Sequence, residues 1–207
     1  MKSIDEKLGR KRLFEADELR IMAEELRQRT DLEESEITYK KSLEINKLDF
    51  RTYIGLSHTL IQRGKYIEAK KFLNKSLKHA PIINKIDYKS VSYRLIAHIF
   101  FCEQDFESAY QMTSKSIELS NNYYVSLYDH AQYCSIIGKK DECLTSLSKA
   151  IEYQPLYWYL SGKEKNFKHF RNEISELLVS IRASAYAVID KKLVDLEKNK
   201  NYWGQNF

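Results

Sequence analysis

A chain of 207 residues has room for one domain or two small ones, and its 43% apolar content suffices for a core. With 30% charged residues, six glycines and two prolines, there is too little turn punctuation for a many-stranded sheet; fifteen tyrosines and nine phenylalanines exclude a disordered chain. The net charge of +5 permits contact with acidic partners or nucleic acid and argues for neither.

The opening MKSIDEKLGRKRLF lacks the apolar core of a signal peptide, and no apolar run nears the roughly 18 residues of a membrane span. Cys102, Cys134 and Cys143 are an odd number without framework spacing, which speaks against a disulfide scaffold. A soluble, cytoplasmic protein with free thiols is expected.

In chain order, Ser3-x-x-Glu6 reads as a capping box and predicts a long first helix from about Ile4 to Arg29. Asp31-x-x-Glu34 repeats the signal and predicts a second helix over 31–46. Further helices are expected at roughly 50–63, 65–79, 88–103, 105–119, 122–137 and 139–153. Gly64 and Pro81 bracket one of them, and Gly138 and Pro155, the same distance apart, bracket another. Glycine accepts the left-handed conformation that often ends a helix, and proline cannot continue one.

The bracketed stretches share a phase. Residues 50–83 carry Tyr53, Leu56-Ser57 and Leu60, then Tyr66, Ala69, Leu73 and Pro81. One period earlier, residues 16–49 carry Ala23 and Leu26, then Ser35, Tyr39 and Ser42-Leu43. After a six-residue insertion within IINKIDYK, residues 90–123 carry Tyr93, Ala97 and Phe100, then Phe106, Ala109 and Ser116-Ile117. Residues 124–157 carry Leu127, Ala131 and Cys134, then Gly138, Cys143, Ala150 and Pro155. Small residues at Ala23, Ser57, Ala97 and Ala131, and at Ser35, Ala69, Ala109 and Cys143, let two antiparallel helices approach closely. This pattern resembles the tetratricopeptide repeat, with its period of about 34 residues and its W-x2-L-G-x2-Y, A-x3-F, P signature. The large aromatic of the second helix becomes Leu73, Thr113 and Leu147, of which the threonine is the misfit. The proline slot holds Lys47 and Asn121 in the first and third copies.

After Pro155 the register degrades. LYWYL (156–160) reads as a truncated first helix, and Phe167, Phe170, Ile174, Leu177, Leu178, Ile181, Ala185, Val188 and Leu196 keep a spacing that predicts one amphipathic helix of about thirty residues. A solenoid needs a terminal cap with one polar face. The part from Ala183 onward reads either as more of that cap or as a helix for dimerisation or partner docking, and the tail NYWGQNF as frayed.

The resemblance implies an all-α, right-handed superhelical solenoid of antiparallel helix pairs, with about four repeats and a C-terminal capping helix. The expected organisation is a solenoid over 1–157, a cap with a long helix over 158–200, and a tail over 201–207. Nucleotide-binding, nucleophile-elbow and zinc-protease motifs are absent from the sequence, as is C-x-x-C, and no enzyme, cofactor or metal is expected. His98/Cys102 and His130/Cys134 are i, i+4 pairs, but the repeat phase turns the second pair toward its partner helix and the first away from it.

In tetratricopeptide proteins the first helices line a concave groove for peptide or protein partners. The matching positions are Arg20, Glu24 and Arg27; Arg51, Ile54, His58 and Ile61; Arg94, His98 and Phe101; and Tyr128, Gln132 and Ile136. Arginines and histidines among aromatics suit an acidic or C-terminal peptide, because guanidinium grips carboxylates bidentately. The carboxylate clamp of heat-shock co-chaperones does not fit in either register: Arg20, Glu24, Gly55, Val91 and Leu95 stand in one, and Ile54, His58, Leu95, Val125 and Asp129 in the other. A protein-interaction scaffold is the first reading. The alternatives are an RNA-binding helical repeat, resting on seven lysines between Lys65 and Lys89, and an accessory subunit of a larger enzyme.

Overall fold

A computed structural model describes the backbone of residues 2–83 and 86–204 and the side chains of residues 9–81 and 87–197. Four helix pairs come first: α1 (Lys2–Gln28) with α2 (Leu32–Ile45), α3 (Phe50–Gln62) with α4 (Tyr66–His79), α5 (Tyr88–Cys102) with α6 (Phe106–Leu119), and α7 (Tyr124–Ile136) with α8 (Lys140–Tyr153). Each helix packs most extensively on its own partner and next on the following pair, which is the layout of a solenoid. Then follow α9 (Leu156–Lys163), a 3-10 segment (Lys165–Phe170) and α10 (Arg171–Gly204). Among the described residues no helix is long and apolar enough to cross a membrane.

All eight predicted small positions are fully buried. A larger side chain there would force the paired axes apart, so these positions set the helix spacing. Serines then tie the paired helices together: the hydroxyls of Ser42, Ser76 and Ser116 donate to the carbonyls of Ala16, Phe50 and Ser90, one contact in each of the first three repeats. Gly55 has a related task. A Cβ there would meet the Tyr39 ring at 2.4–2.7 Å, so the only large aromatic in its second-helix slot is accommodated by the only glycine in the facing helix.

The first helix of every pair ends the same way. The residues at φ +68°, +72°, +63° and +82° are Thr30, Gly64, Gln104 and Gly138. At the first three, the amide bonds back three residues and the next amide bonds back five (Thr30 to Arg27 and Asp31 to Leu26 in α1). This is the Schellman closure. Two of the four carry a side chain where glycine is favoured, and Thr30 is β-branched and exposed. Thr30→Gly is therefore expected to raise the unfolding free energy by about 1 kcal/mol, the relief being partly offset by the freer unfolded glycine. Urea denaturation checks it, and an unchanged or lower midpoint would contradict the strain argument.

Three expectations need correction. Asp31 precedes α2 but makes no side-chain cap, because the closure of α1 fixes its backbone at φ −79°, ψ +62°. Side-chain caps form instead at Asp49, Asp87 and Asp105, each accepting an amide of its own helix. Helix α1 already contains Ser3, whose side chain lies outside the described residues. The insertion, read only as extra length, makes a small antiparallel hairpin, β1 (Ile82–Ile83) with β2 (Ile86–Asp87), pinned by the Asp87 amide donating to Ser120 Oγ at 2.9 Å.

Phe167 and Phe170 stand on the 3-10 segment, not on the long helix. Arg171 explains the break, since its guanidinium donates to the carbonyls of Ser161, Gly162 and Glu164 and closes the end of α9. Phe167, Ile174 and Leu178 then join Leu127, Ala131, Cys134, Leu147 and Ile151 in one core. From Arg182 to Glu197 every residue of α10 is exposed. The backbone of the predicted tail stays helical through Gly204, and its aromatic side chains lie outside the described residues.

Candidate functional site

Helices α1, α3 and α5 present Arg20, Glu24, Arg27, Arg51, Ile54, His58, Arg94, His98 and Phe101 as half-buried or exposed side chains. Ile61, placed by phase on the same face, is buried in the core instead.

Every groove arginine already faces a carboxylate. Arg20 donates from Nε and Nη2 to Asp17 Oδ1 at 3.0 and 2.8 Å. Arg51 reaches the same Asp17 oxygen at 3.1 Å and Asp49 Oδ1 at 3.0 Å, tying α1 to the start of α3. Arg27 holds Glu24 through both nitrogens of its fork, and Tyr39 donates its hydroxyl to Glu24 Oε2 at 2.7 Å. Burial alone would raise the Glu24 carboxyl; hydrogen bonds from Arg27, Tyr39 and Gln28 hold it down at about 2. Arg94 donates from Nε to Asp129 Oδ2 at 2.7 Å, linking α5 to α7. Burial pushes the Asp129 carboxyl upward against the pull of the Arg94 charge.

The histidines carry no charge near neutral pH. Burial, then the charges of Arg27 and Arg94, pull His58 down to about 4, and burial also lowers His98. The expected cationic strip is thus a network of paired charges with neutral imidazoles between, and the arginines are not free forks waiting for a carboxylate. Sequence reading missed Asp17, Asp49 and Asp129. The signal was present for the last, since Asp129 stands 35 residues after Arg94, one helical step beyond a repeat.

The fourth repeat is covered by the chain itself. Tyr128 is buried, stacks on Tyr157 of α9 at 4.1 Å between centroids and meets Phe167 edge-on at 5.8 Å. Gln132 accepts from Asn166 at 2.9 Å, and His169 Nδ1 meets the Ser135 carbonyl at 2.9 Å. Tyr128 is therefore buried between Tyr157 and Phe167, and Gln132, half-buried, is engaged by Asn166 of the 3-10 segment. Ile136 lies beside it, in a pocket shared with Phe106, Lys165 and His169.

His130, Cys134 and Glu142 place candidate ligand atoms within 4.8 Å of one another. Two of the three already have partners. His130 Nδ1 meets Thr113 Oγ1 at 2.9 Å and its ring stacks on Tyr110 at 5.0 Å. Glu142 accepts the Tyr110 hydroxyl at 2.8 Å and sits 3.6 Å from the Lys139 ammonium. Burial pushes the Cys134 thiol far up and keeps it protonated. Cys134 and Cys143 are buried free thiols, and Cys102 is exposed. His130 and Glu142 are thus held through Thr113 and Tyr110, with the buried Cys134 thiol packed beside them. Thr113, the misfit of the repeat pattern, is the residue that binds the buried imidazole.

That imidazole makes the fold acid-sensitive. Burial pulls His130 down to about 4, whereas an unfolded histidine takes its proton near 6.5. Between these values the unfolded chain binds more protons, so stability falls as pH drops through the window. About 2 kcal/mol is expected to be lost between pH 7 and pH 5 through His130. Urea denaturation of the wild type and of His130→Gln at both pH values checks it, and an equal pH slope in the variant would contradict it.

The lysines of α4 lie on the outer side of the pairs. Lys65 is held by Glu36 at 2.9 Å and Lys70 by Glu103 at 2.6 Å, so part of the basic strip is already neutralised.

Residues 50–82 match the tetratricopeptide repeat family. No curated protein matches the chain. Among solved structures, residues 41 to the end of MamA from Desulfovibrio magneticus RS-1 are 15% identical, with 83% of this chain and 96% of that one covered at a TM-score of 0.58. YrrB, described as a TPR protein with an unusual peptide-binding site, is 19% identical, with 92% and 96% covered at 0.55. Putative kinesin light chain TPR-like repeats from Podosopora anserina are 13% identical, with 82% and 93% covered at 0.61. At these identities the likeness is one of fold: all three are tandem helix-pair solenoids. The family match over residues 50–82, the helix pairs that continue on both sides of it and this shared fold give the chain the architecture of a tetratricopeptide repeat solenoid.

Proposed function

We propose that the chain is a non-enzymatic scaffold that holds a segment of a partner protein on the concave face of α1, α3 and α5. In this reading residues 1–157 form the binding solenoid, 158–200 close its end and 201–207 are a tail. The observation that carries the reading is the contrast along one face. Ile54, His58, Arg94, His98 and Phe101 remain partly accessible, while in the fourth repeat Tyr128 is buried under Tyr157 and Phe167, and Gln132, half-buried, is tied to Asn166 of the 3-10 segment. A solenoid that covers one end of its groove and leaves the rest open has space for a segment spanning three repeats.

The chemistry of the face sets the partner. Its arginines are neutralised by Asp17, Asp49, Glu24 and Asp129, and its histidines are uncharged. An acidic tail would meet carboxylates as well as cations there. A segment of mixed polar side chains with an apolar anchor near Ile54 and Phe101 fits better. The peptide-binding site named for YrrB is consistent with such use of this fold.

The test is affinity capture with the wild type and with the double variant Ile54→Lys, His98→Glu, chosen because neither residue holds the Arg94–Asp129 pair. The expected result is at least about a tenfold loss of the specifically retained protein, the size of one lost apolar anchor, with an unchanged helical circular dichroism signal. Equal capture by the two would contradict the groove assignment.

A further inference from the structure

We infer that His130, Cys134 and Glu142 bind a thiophilic divalent metal ion of the zinc class between α7 and α8. The inference is independent of the groove reading. His130 and Cys134 stand one turn apart on α7, and α8 brings Glu142 up beside them, so that the three donor atoms lie within 4.8 Å of one another.

The imidazole is set up to ligate. The Thr113 hydroxyl already donates to the carbonyls of Ala109 and Tyr110, at 3.1 and 2.9 Å, so it accepts from His130 Nδ1 at 2.9 Å. The ring proton is thereby placed on Nδ1 and the lone pair on Nε2. The other tautomer would leave an Nε2–H 3.9 Å from Glu142 Oε2, beyond hydrogen-bond reach. His130 is 6% exposed, and among the described residues nothing donates a hydrogen bond to that lone pair. A buried acceptor nitrogen thus faces a carboxylate oxygen with no proton between them, an arrangement that a cation completes. A hydrogen-bonded Nδ1–H is also what orients a histidine toward a metal through Nε2.

The donors choose the metal. Imidazole nitrogen, thiolate sulfur and one carboxylate oxygen suit zinc and disfavour magnesium and calcium, which take oxygen. Four-coordinate zinc holds such atoms about 3.3–3.6 Å apart. Glu142 is half exposed and can swing inward to close the remainder, with the Tyr110 hydroxyl on its Oε2 to steady it. Three protein donors leave a fourth position for water, supplied through the small surface pocket that His130, Asp141, Glu142, Thr145 and Ser146 form. Lys139 is the group displaced: its ammonium lies 3.6 Å from Glu142 Oε1, on a side chain exposed enough to turn outward. On binding, the Cys134 S–H bond breaks, the sulfur keeps the electron pair for the metal and the proton leaves to solvent. The acid sensitivity expected of His130 is that of the metal-free chain, to be measured with a chelator present.

The test uses the untagged full chain with the exposed Cys102 changed to serine, reduced, freed of metal with a chelator and titrated with cobalt(II) chloride. Near one equivalent, a near-ultraviolet thiolate-to-cobalt band and the visible bands of four-coordinate cobalt should grow together. One equivalent of zinc should abolish both, while a large excess of magnesium should not. Cys134→Ala should lose the near-ultraviolet band. Glu142→Gln should bind zinc at least about tenfold more weakly with the same helical signal. Because Glu142 is half exposed, this variant keeps the test decisive if Cys134→Ala fails to fold. Absence of the cobalt bands, a thiolate band that survives Cys134→Ala, or equal zinc affinity in Glu142→Gln would each overturn the inference.

Discussion

Arg94→Leu is expected to lower the unfolding free energy by about 3–5 kcal/mol at pH 7. Arg94 and Asp129 bridge two successive first helices, and both side chains are largely buried. Removing the guanidinium leaves a carboxylate that burial already disfavours with no counter-charge. The loss should shrink as pH falls, because a protonated Asp129 needs no counter-charge. It should also shrink in the double variant Arg94→Leu, Asp129→Leu, where an apolar pair replaces the ionic one. Urea denaturation of the two single variants and the double gives the coupling directly. A loss below about 1 kcal/mol, or equal losses in the single and double variants, would show that the pair does not hold the repeats together.

Phe167→Ala is expected to cost a similar amount, about 3–5 kcal/mol. The ring is fully buried, meets Tyr128 edge-on and sits between the last repeat and the start of α10. Its loss leaves a cavity under the 3-10 segment, where the hydrogen bonds to α7, Asn166 with Gln132 and His169 with the Ser135 carbonyl, are single ones and Phe170 is only partly buried. Trp158 reports the outcome, since its indole N–H donates to the Leu178 carbonyl of α10 at 2.8 Å. The tryptophan emission should shift to the red at urea concentrations where the helical signal is still native. Coincident transitions would mean that the C-terminal segment unfolds with the repeats and does not act as a separable cover.

Much of the architecture was legible because it depends on residues that repeat. Small residues at 23, 57, 97 and 131 and at 35, 69, 109 and 143 can recur in phase for one reason, close approach of paired helices, and all eight are buried. The left-handed closure was legible where glycine marks it, at Gly64 and Gly138. At Thr30 and Gln104 the same conformation is imposed by the repeat on residues that do not favour it, and composition gives no warning. The break between α9 and α10 was hidden too. Phe167 and Phe170 keep a helical spacing, and what interrupts the helix is a tertiary contact of Arg171 with three carbonyls.

The groove face was legible as positions and not as chemistry. Phase placed Arg20, Arg51 and Arg94 on the first helices, where their side chains are half-buried or exposed and each is paired with a carboxylate. Their partners were invisible to that reasoning, since Asp17 and Asp49 fall between the slots the pattern marks and Asp129 entered only as a clamp position that did not fit. Tyr128 and Gln132 followed the phase but are engaged by segments that lie beyond the repeats. A repeat pattern reports what each unit shares. It does not report what the end of the chain does to the last one.

The central claim is that a partner segment lies on the open concave face of α1, α3 and α5. Site-specific photo-crosslinking tests it most directly, with a benzophenone amino acid placed singly at Ile54, at Gln132 under the 3-10 segment, and at Lys71 on the outer side of α4. The account predicts that Ile54 captures a partner protein while Gln132 crosslinks to the chain's own residues 165–170 and Lys71 captures nothing specific. Partner crosslinks concentrated at Lys71 with none at Ile54 would contradict it.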